Sequence, residues 1–334
     1  KKNNINLMCL NIKKKNIFSL IINFLKLRKI IKKINPRIVH TWMYHADLYG
    51  GLATKSISKS YLIWNIRGDV ISRKNSTFTI LFLNKILPLL SYFLPDLLTS
   101  CSKSAIKNHI NSGYKKNFLY LPNGINFNLI DKKIETKNSD FKDFNDKSIF
   151  KISCISRFAK QKDFNTLFKT IALFKKKEAK FLLFIAGNNI DNKNIELKNL
   201  INRYNLNNNI ILLGQLKNVN DLLQFVDVNI STSSFGEGLP NVILESLSNG
   251  TPCIATNVGD TFDILKDIGW IANIKDYKQL STYLEEALFE KKYENDKWIK
   301  RKELSIKFIK NNFTLDNMIE KYQDLYDNYK LKYD

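Results

Sequence analysis

The chain has 334 residues, enough for about two domains at roughly 150 residues each. Its composition is 44% hydrophobic and 12% aromatic, with only 12 glycines and 6 prolines, which excludes wholesale disorder, collagen and low-complexity linkers. The net charge of +22 invites a polyanion or an anionic membrane as partner, and joint over-use of lysine, asparagine and isoleucine offers AT-rich coding bias as the plainer cause.

The first residue is Lys1, and an apolar run at Ile5–Leu10 reads as a strand. No signal-peptide pattern of charged start, apolar centre and small-residue cleavage site is present, and the chain is expected to be trimmed or to lack its natural beginning. Further strands are expected at Arg37–Trp42, Tyr61–Arg67 and Leu97–Cys101. Helical periods occupy Phe18–Lys33, Ala46–Ser58 and Phe78–Phe93. The nearest approach to a membrane span, Thr79 to Leu98, is interrupted by Lys85, Pro88 and Pro95. The polar stretch Asp131–Ser148 reads as an interdomain linker.

Beyond it, strands are expected at Phe150–Ile155, Phe181–Ala186, Ile210–Leu213, Val226–Thr232 and Cys253–Thr256. Helices are expected at Asn165–Lys177, Glu196–Tyr204, Asn220–Phe225, Asn241–Ser248 and Asp276–Glu290. A last helix carries Leu315, Met318, Ile319, Tyr322 and Leu325 on one stripe. Such alternation argues for two doubly wound parallel-sheet domains, covered on both faces, with a cleft between them. Their boundaries are drawn at 1–135 and 149–312, with 313–334 as a helix that crosses back to the first domain. Four scattered cysteines and three histidines form neither a disulfide framework nor a zinc signature, so a reducing compartment fits.

The most informative stretch is VDVNISTSSFGEGLPNVILESLSNGTPCIAT, Val226 to Thr256. A strand runs into a small-residue loop, and a helix begins at Pro240 or Asn241. Unpaired N–H groups at such a start bind anions, and Gly236 and Gly238 allow a phosphate to come close. Glu237 in the loop and Glu245 in the helix are poor neighbours for an anion unless they serve sugar hydroxyls, which a carboxylate accepts well. An ordinary loop charge and a solvated helix face are the plain alternatives for these two residues taken singly. Gly236-Glu237-Gly238 with Asp260 also resembles a dinucleotide fingerprint, but Asn241 occupies the third glycine position and the strand is a late one.

In SRFAKQKDF, Arg157 and Lys162 follow the first strand of the second domain, where two cations would neutralise a departing diphosphate. No Asp-x-Asp triplet occurs, so a carboxylate-held metal is not suggested. In HTWMYHAD, His40 has a plain reading as a satisfied core histidine beside a tryptophan. His45 lies beyond the strand, and Arg67 and Asp69 end the next one; these three are candidates for the donor or acceptor side of the cleft.

With HTWMYHADLYGGLA, LPNGIN at Leu121–Asn126, SRFAKQKDF and FGEGLPNVILESLSNGTPCIATNVG in that order, the chain resembles the retaining glycosyltransferases of family 4, which have the GT-B fold. Their Glu-x7-Glu pattern matches Glu237 and Glu245. The resemblance implies that Glu237 contacts the transferred sugar, while Gly238, Leu239, Pro240, Asn241 and Val242 contact sugar and diphosphate through the backbone. It further implies that Glu245 holds the ribose and that Arg157 and Lys162 hold the diphosphate. The implied reaction moves a sugar from a UDP- or GDP-linked donor to an acceptor hydroxyl with retention, the leaving phosphate taking the proton, and no cofactor or metal. Acceptors of relatives are often lipid-linked or polysaccharide glycans of the cell surface, which, with the reducing compartment read above, gives the expectation of a cytoplasmic enzyme at the inner face of the membrane.

Many relatives have a histidine where Arg67 stands, and arginine stays protonated and cannot act as a base. Relatives also begin with a strand and glycine-rich loop that nothing here matches, so the first sheet is expected to lack its central strand. The basic amphipathic helix Phe18–Lys33 suits contact with anionic lipid, against the plain alternative of packing on the sheet. Specific nucleic-acid binding is not expected. A sugar-nucleotide epimerase of the same fold, or an inactive basic fragment that binds polyanions, are the rival readings.

Overall fold

The structure, a computed structural model, describes residues 5–12, 17–69, 78–130, 141, 144–177 and 180–330. The chain divides into two compact units. The first comprises Lys1–Cys101, Ala105–Leu121 and Tyr322–Asp334; the second comprises Ser102–Ser104 and Pro122–Lys321.

In the first unit, helix α1 (Ile17–Ile34) precedes four parallel strands that lie in sequence order: β1 (Ile38–Trp42), β2 (Tyr61–Ile66), β3 (Leu97–Ser100) and β4 (Phe118–Tyr120). They are joined by α2 (Tyr44–Lys55), α3 (Phe78–Leu90) and α4 (Lys103–Asn111). Side chains alternate across a strand, and β2 shows the consequence. Leu62, Trp64 and Ile66 pack with Leu83, Leu87 and Leu98 on one face. Tyr61 and Ile63 pack with Leu97, Leu121 and the chain-terminal Leu325 on the other. The α1 helix rests on α2 through Phe24 and Tyr49, whose rings meet edge-on at 5.5 Å.

The second unit holds six parallel strands: β5 (Phe150–Ile155), β6 (Phe181–Ala186), β7 (Ile210–Gly214), β8 (Val228–Ser231), β9 (Cys253–Thr256) and β10 (Trp270–Ala272). Their order is β10-β9-β8-β5-β6-β7, so the chain starts in the middle, winds one way, then returns and winds the other. Between strands run α5 (Phe164–Lys175), α6 (Ile195–Arg203), α7 (Val219–Phe225), α8 (Asn241–Ser248) and α9 (Thr261–Leu265). Then come α10 (Tyr277–Tyr293) and α11 (Asn295–Asn312), and a last helix, α12 (Leu315–Lys330), whose residues belong to the second unit up to Lys321 and to the first from Tyr322. Both sheet faces are covered, which parallel sheets require. Leu167, Phe168 and Ile171 of α5 and Leu280 and Leu284 of α10 pack on one face, and Leu222 with Val226 on the other.

Several expectations need correction. Ile5–Leu10 is not a strand: residues 5–12 have no regular structure, because an apolar run without a neighbour cannot satisfy its backbone in a ladder. The expected linker Asp131–Ser148 lies partly outside the described residues, but Phe141 within it is buried, stacked on Phe225 at 5.0 Å and edge-on to Phe184 at 6.2 Å. Helix α2 starts at Tyr44, two residues early, and α3 ends at Leu90 with Pro88 inside its last turn. Short elements without an apolar run, such as α4, α9 and β10, had no expectation at all. Among the described residues, no helix is long and apolar enough to cross a membrane.

An acidic side chain is placed deep in the first unit. Asp47, on the first turn of α2, is 1% exposed. It accepts from Thr41 Oγ1 at 2.6 Å, and its Oδ2 meets no donor among the described residues. Burial pushes its carboxyl up to about 8, against the hydrogen bonds from Thr41 and the Asn65 backbone, which pull it down. An unfolded aspartate titrates near 4. Between about pH 4 and pH 8 the folded chain therefore keeps a proton that the unfolded chain releases, and stability falls as pH rises through that window. We expect Asp47→Asn to gain on the parent across it, by about 2 kcal/mol or more at pH 8. Calorimetric unfolding at several pH values measures this; a gap that does not change with pH would refute it.

Candidate active site

Strand order reverses between β5 and β8, where only Ile152 with Val228 and Ser153 with Asn229 are in register. In open parallel sheets such a reversal leaves a crevice at the carboxyl ends of the strands. Two loops leave the sheet there, one after β5 and one after β8. They are fastened together by the Ser234 N–H, which donates to the Gln161 carbonyl at 2.8 Å, and by Thr232 Oγ1, which donates to the Lys162 carbonyl at 3.0 Å.

The fastening brings Lys162 and Glu237 together. Glu237 Oε1 accepts from Lys162 Nζ at 2.6 Å, from Ser233 Oγ at 2.8 Å and from Gln161 Nε2 at 3.1 Å. The lysine and glutamate side chains are 17% and 14% exposed. Arg157 is exposed, and its Nη2 donates to Gln161 Oε1 at 3.1 Å. Behind Lys162, Asp163 adopts a left-handed conformation and caps α5, accepting from the Thr166 N–H at 3.1 Å.

Gly238, Leu239 and Pro240 are buried, Val242 is half-buried and Asn241 is exposed at the start of α8. Pro240 occupies the N-cap, and no side chain caps the helix. The first N–H groups of a helix have no partner within it, so an uncapped start offers them to an anion. Asn123 of LPNGIN donates to Asn241 Oδ1 at 2.5 Å. Glu245 follows one turn later, half-buried, and its carboxylate meets no donor among the described residues. Burial raises that carboxyl above its ordinary value, as expected of an acceptor without its donors.

Two glycines set the loop positions without facing the crevice. Gly187, just after β6, has φ +144°, and a Cβ there would run into the carbonyl of Ser156. Gly259, after β9, has φ +64°, and a Cβ there would strike the Gly238 carbonyl and lie 2.7 Å from that of Glu237. Both φ values suit glycine. The residues before Arg157 and around Glu237 thus lie where they do because neighbouring turns have no side chain.

Sequence reasoning missed Gln161, Ser233 and Gly187. Only Gly187, which follows an apolar strand, carried a signal. Asp260 is 4% exposed and accepts from Ser102 Oγ and the N–H groups of Lys103 and Ser104, all of the second unit. Its oxygens are thus occupied, and the dinucleotide reading loses its acidic residue.

In the first unit, His45 is exposed on the first turn of α2. Arg67 and Asp69 are half-buried. The Arg67 guanidinium lies 4.9 Å from the Trp42 ring, which stacks on Tyr322 at 6.2 Å and 11°. Both oxygens of Asp69 lie 2.9 Å from Asn108 Nδ2. His40 Nδ1 is 2.9 Å from the Tyr326 hydroxyl; burial, then the Arg67 charge, lowers its pKa to about 4, so the ring is neutral at neutral pH.

The chain as a whole has counterparts among known proteins. In sequence the chain is 30% identical over 253 residues to an uncharacterised glycosyltransferase, MJ1059, of Methanocaldococcus jannaschii, covering 70% of this chain and 58% of that protein. It thus spans less than two thirds of that relative. In structure it is similar to Anabaena Alr3699/HepE in complex with UDP-glucose, with a TM-score of 0.80 at 16% identity, covering 92% of this chain and 82% of that one. It is also similar to a glycosyltransferase from Rickettsia africae, with a TM-score of 0.74 at 20% identity, covering 97% and 84%. At such identities the likeness is one of fold, and the fold is GT-B. Residues 135–304, which contain β5 to β10 and both loops, match the family described as Glycosyl transferases group 1, and the chain belongs to that family.

Proposed function

We propose that the chain is a retaining glycosyltransferase that works without a metal, moving a hexose from a UDP- or GDP-linked donor to an acceptor hydroxyl. The observation that carries this is Glu245, a half-buried carboxylate without a donor, placed one turn inside an uncapped helix start. A ribose diol supplies the two missing donors, and the diphosphate attached to it fills the helix start. Glu237, held by one oxygen, turns the other toward the sugar hydroxyls. Lys162 and Arg157 balance the charge that grows on the diphosphate. The bond from the anomeric carbon to the phosphate oxygen breaks while one to the acceptor oxygen forms on the same face. The acceptor proton passes to the departing phosphate oxygen, so no side chain need act as nucleophile. UDP leads among the bases because Alr3699/HepE was solved with UDP-glucose.

Calorimetric titration of UDP and GDP in the presence of EDTA tests the donor site. We expect saturable binding of one of them, about tenfold weaker in Glu245→Ala, the loss of a charged hydrogen bond. No binding of either, or equal binding by the variant, would sink the reading. A product of inverted anomeric configuration would remove retention from it.

The acceptor in this reading is a lipid-linked or polysaccharide glycan of the cell surface, met at the cytoplasmic face of an anionic membrane. Helix α1 supports that placement. Its Leu20, Phe24 and Ile31 face inward, but Phe18, Ile21, Ile22 and Leu25 stay 48–72% exposed. The line Phe18, Ile22, Leu25 continues at helical spacing into exposed Lys29 and Lys32, and the helix has no acidic residue. An apolar stripe running into cations suits a bilayer with anionic headgroups. We expect co-sedimentation with phosphatidylglycerol vesicles at low salt, weakened tenfold or more by Ile22→Ser with Leu25→Ser. Equal binding to neutral phosphatidylcholine, or no effect of the double substitution, would refute this placement.

A further inference from the structure

We propose that Gln161 is a positioning residue that couples the two ends of the donor, holding Arg157 for the diphosphate and Glu237 for the sugar. The inference rests on the donor-site reading. The Gln161 amide lies between a group that only donates and a group that only accepts: Arg157 Nη2 at 3.1 Å from its Oε1, and Glu237 Oε1 at 3.1 Å from its Nε2. One orientation of the amide satisfies both, so the guanidinium and the carboxylate between them fix the side chain. Its backbone is fixed as well, since its carbonyl accepts from both the Ser234 N–H at 2.8 Å and Ser234 Oγ at 3.4 Å. Gln161 therefore links the two loops by main chain and side chain at once.

The amide does two things that a direct ion pair would not. It spaces the Arg157 guanidinium one residue's length from Glu237, so the opposite charges serve different ends of a ligand instead of neutralising each other. It also transmits between them. A carbonyl that accepts from a guanidinium polarises its amide and strengthens the N–H it offers, as in any hydrogen-bonded chain. With Lys162 and Ser233, that N–H gathers three donors on Oε1 and leaves Oε2 unbonded among the described residues. The orientation of Glu237 toward the sugar is in this way tied to the group that meets the diphosphate.

The test is a double-mutant cycle on sugar discrimination. The parent chain is titrated with UDP-glucose, UDP-N-acetylglucosamine and GDP-mannose and with UDP and GDP, and the best-bound pair is carried forward. In Gln161→Leu we expect the preference for nucleotide-sugar over free nucleotide to fall about tenfold, with the free nucleotide itself weakened by a smaller factor because Arg157 meets the diphosphate in both ligands. In a Glu237→Ala background the same substitution is expected to change that preference no further. In Gln161→Glu, which keeps the shape and sets two carboxylates together, the loss is expected to grow as pH rises from 5 to 8. An unchanged preference in Gln161→Leu, or a loss of equal size without Glu237, would overturn the proposal. A simple folding defect lowers sugar-nucleotide and nucleotide binding together and would overturn it too. If the parent binds no nucleotide at all, it is the donor-site reading that fails, which the first titration reports before any variant is made.

Discussion

The pairing of β5 with β8 over just two residue pairs is the constraint on which the candidate site depends. It is held low in the sheet. Asp227 and Lys151 exchange two bonds there, the Asp227 N–H donating to the Lys151 carbonyl and the Lys151 N–H to Asp227 Oδ2, both at 2.8 Å. Just above them, Ser153 Oγ donates to Asn229 Oδ1 at 2.9 Å, with both residues fully buried. A polar pair inside a sheet persists only if its bonds are made, so the strands stay together to this level. Beyond it they part, and the chain has two loops with free backbone where a longer ladder would have closed the gap.

Charge is handled unequally on the two sides of that gap. Lys162 and Glu237 form a part-buried ion pair whose desolvation offsets much of its attraction, so its contribution is to orientation more than to stability. Glu245 has no such balance and its carboxyl rises on burial. One carboxylate is thus satisfied within the protein on one oxygen, and the other has no donor among the described residues. Arg157, exposed and held among the described residues through a neutral amide, keeps most of its donors available.

The legible part of the fold was its mainly apolar strands and the helix with a marked start. Phe150–Ile155, Phe181–Ala186 and Asn241–Ser248 read from sequence with the bounds the structure gives them. Pro240 and Asn241 signal a first turn in any context, and a short run such as Phe181–Ala186, six apolar residues ahead of Gly187, has few other uses. Ile5–Leu10 looked the same but had no neighbouring strand, which composition cannot reveal. Phe141 was lost inside a charged stretch because one buried ring among lysines and aspartates has no period. Trp270–Ala272 is too short to show any. At the site, Glu237 and Glu245 were legible as carboxylates beside a glycine-rich loop and a helix start. Gln161 and Ser233 were not, since a polar loop residue carries no mark of the oxygen it will meet 70 or so positions later; that is set by tertiary packing alone.

The ion pair between Lys162 and Glu237 also bears on how a ligand arrives. Joined at 2.6 Å, the two charges cancel a short distance away, and the crevice presents little net field from this pair to a dianion approaching through water. Attraction from afar must then come from the many lysines elsewhere on a chain of net charge +22. Those act over about a Debye length and fade with salt, whereas a helix start and a buried lysine act only on contact. For the nucleotide donor proposed above, arrival and departure would then be governed by different parts of the molecule: the association rate by the lysine-rich surface and the ionic strength, the residence time by the crevice.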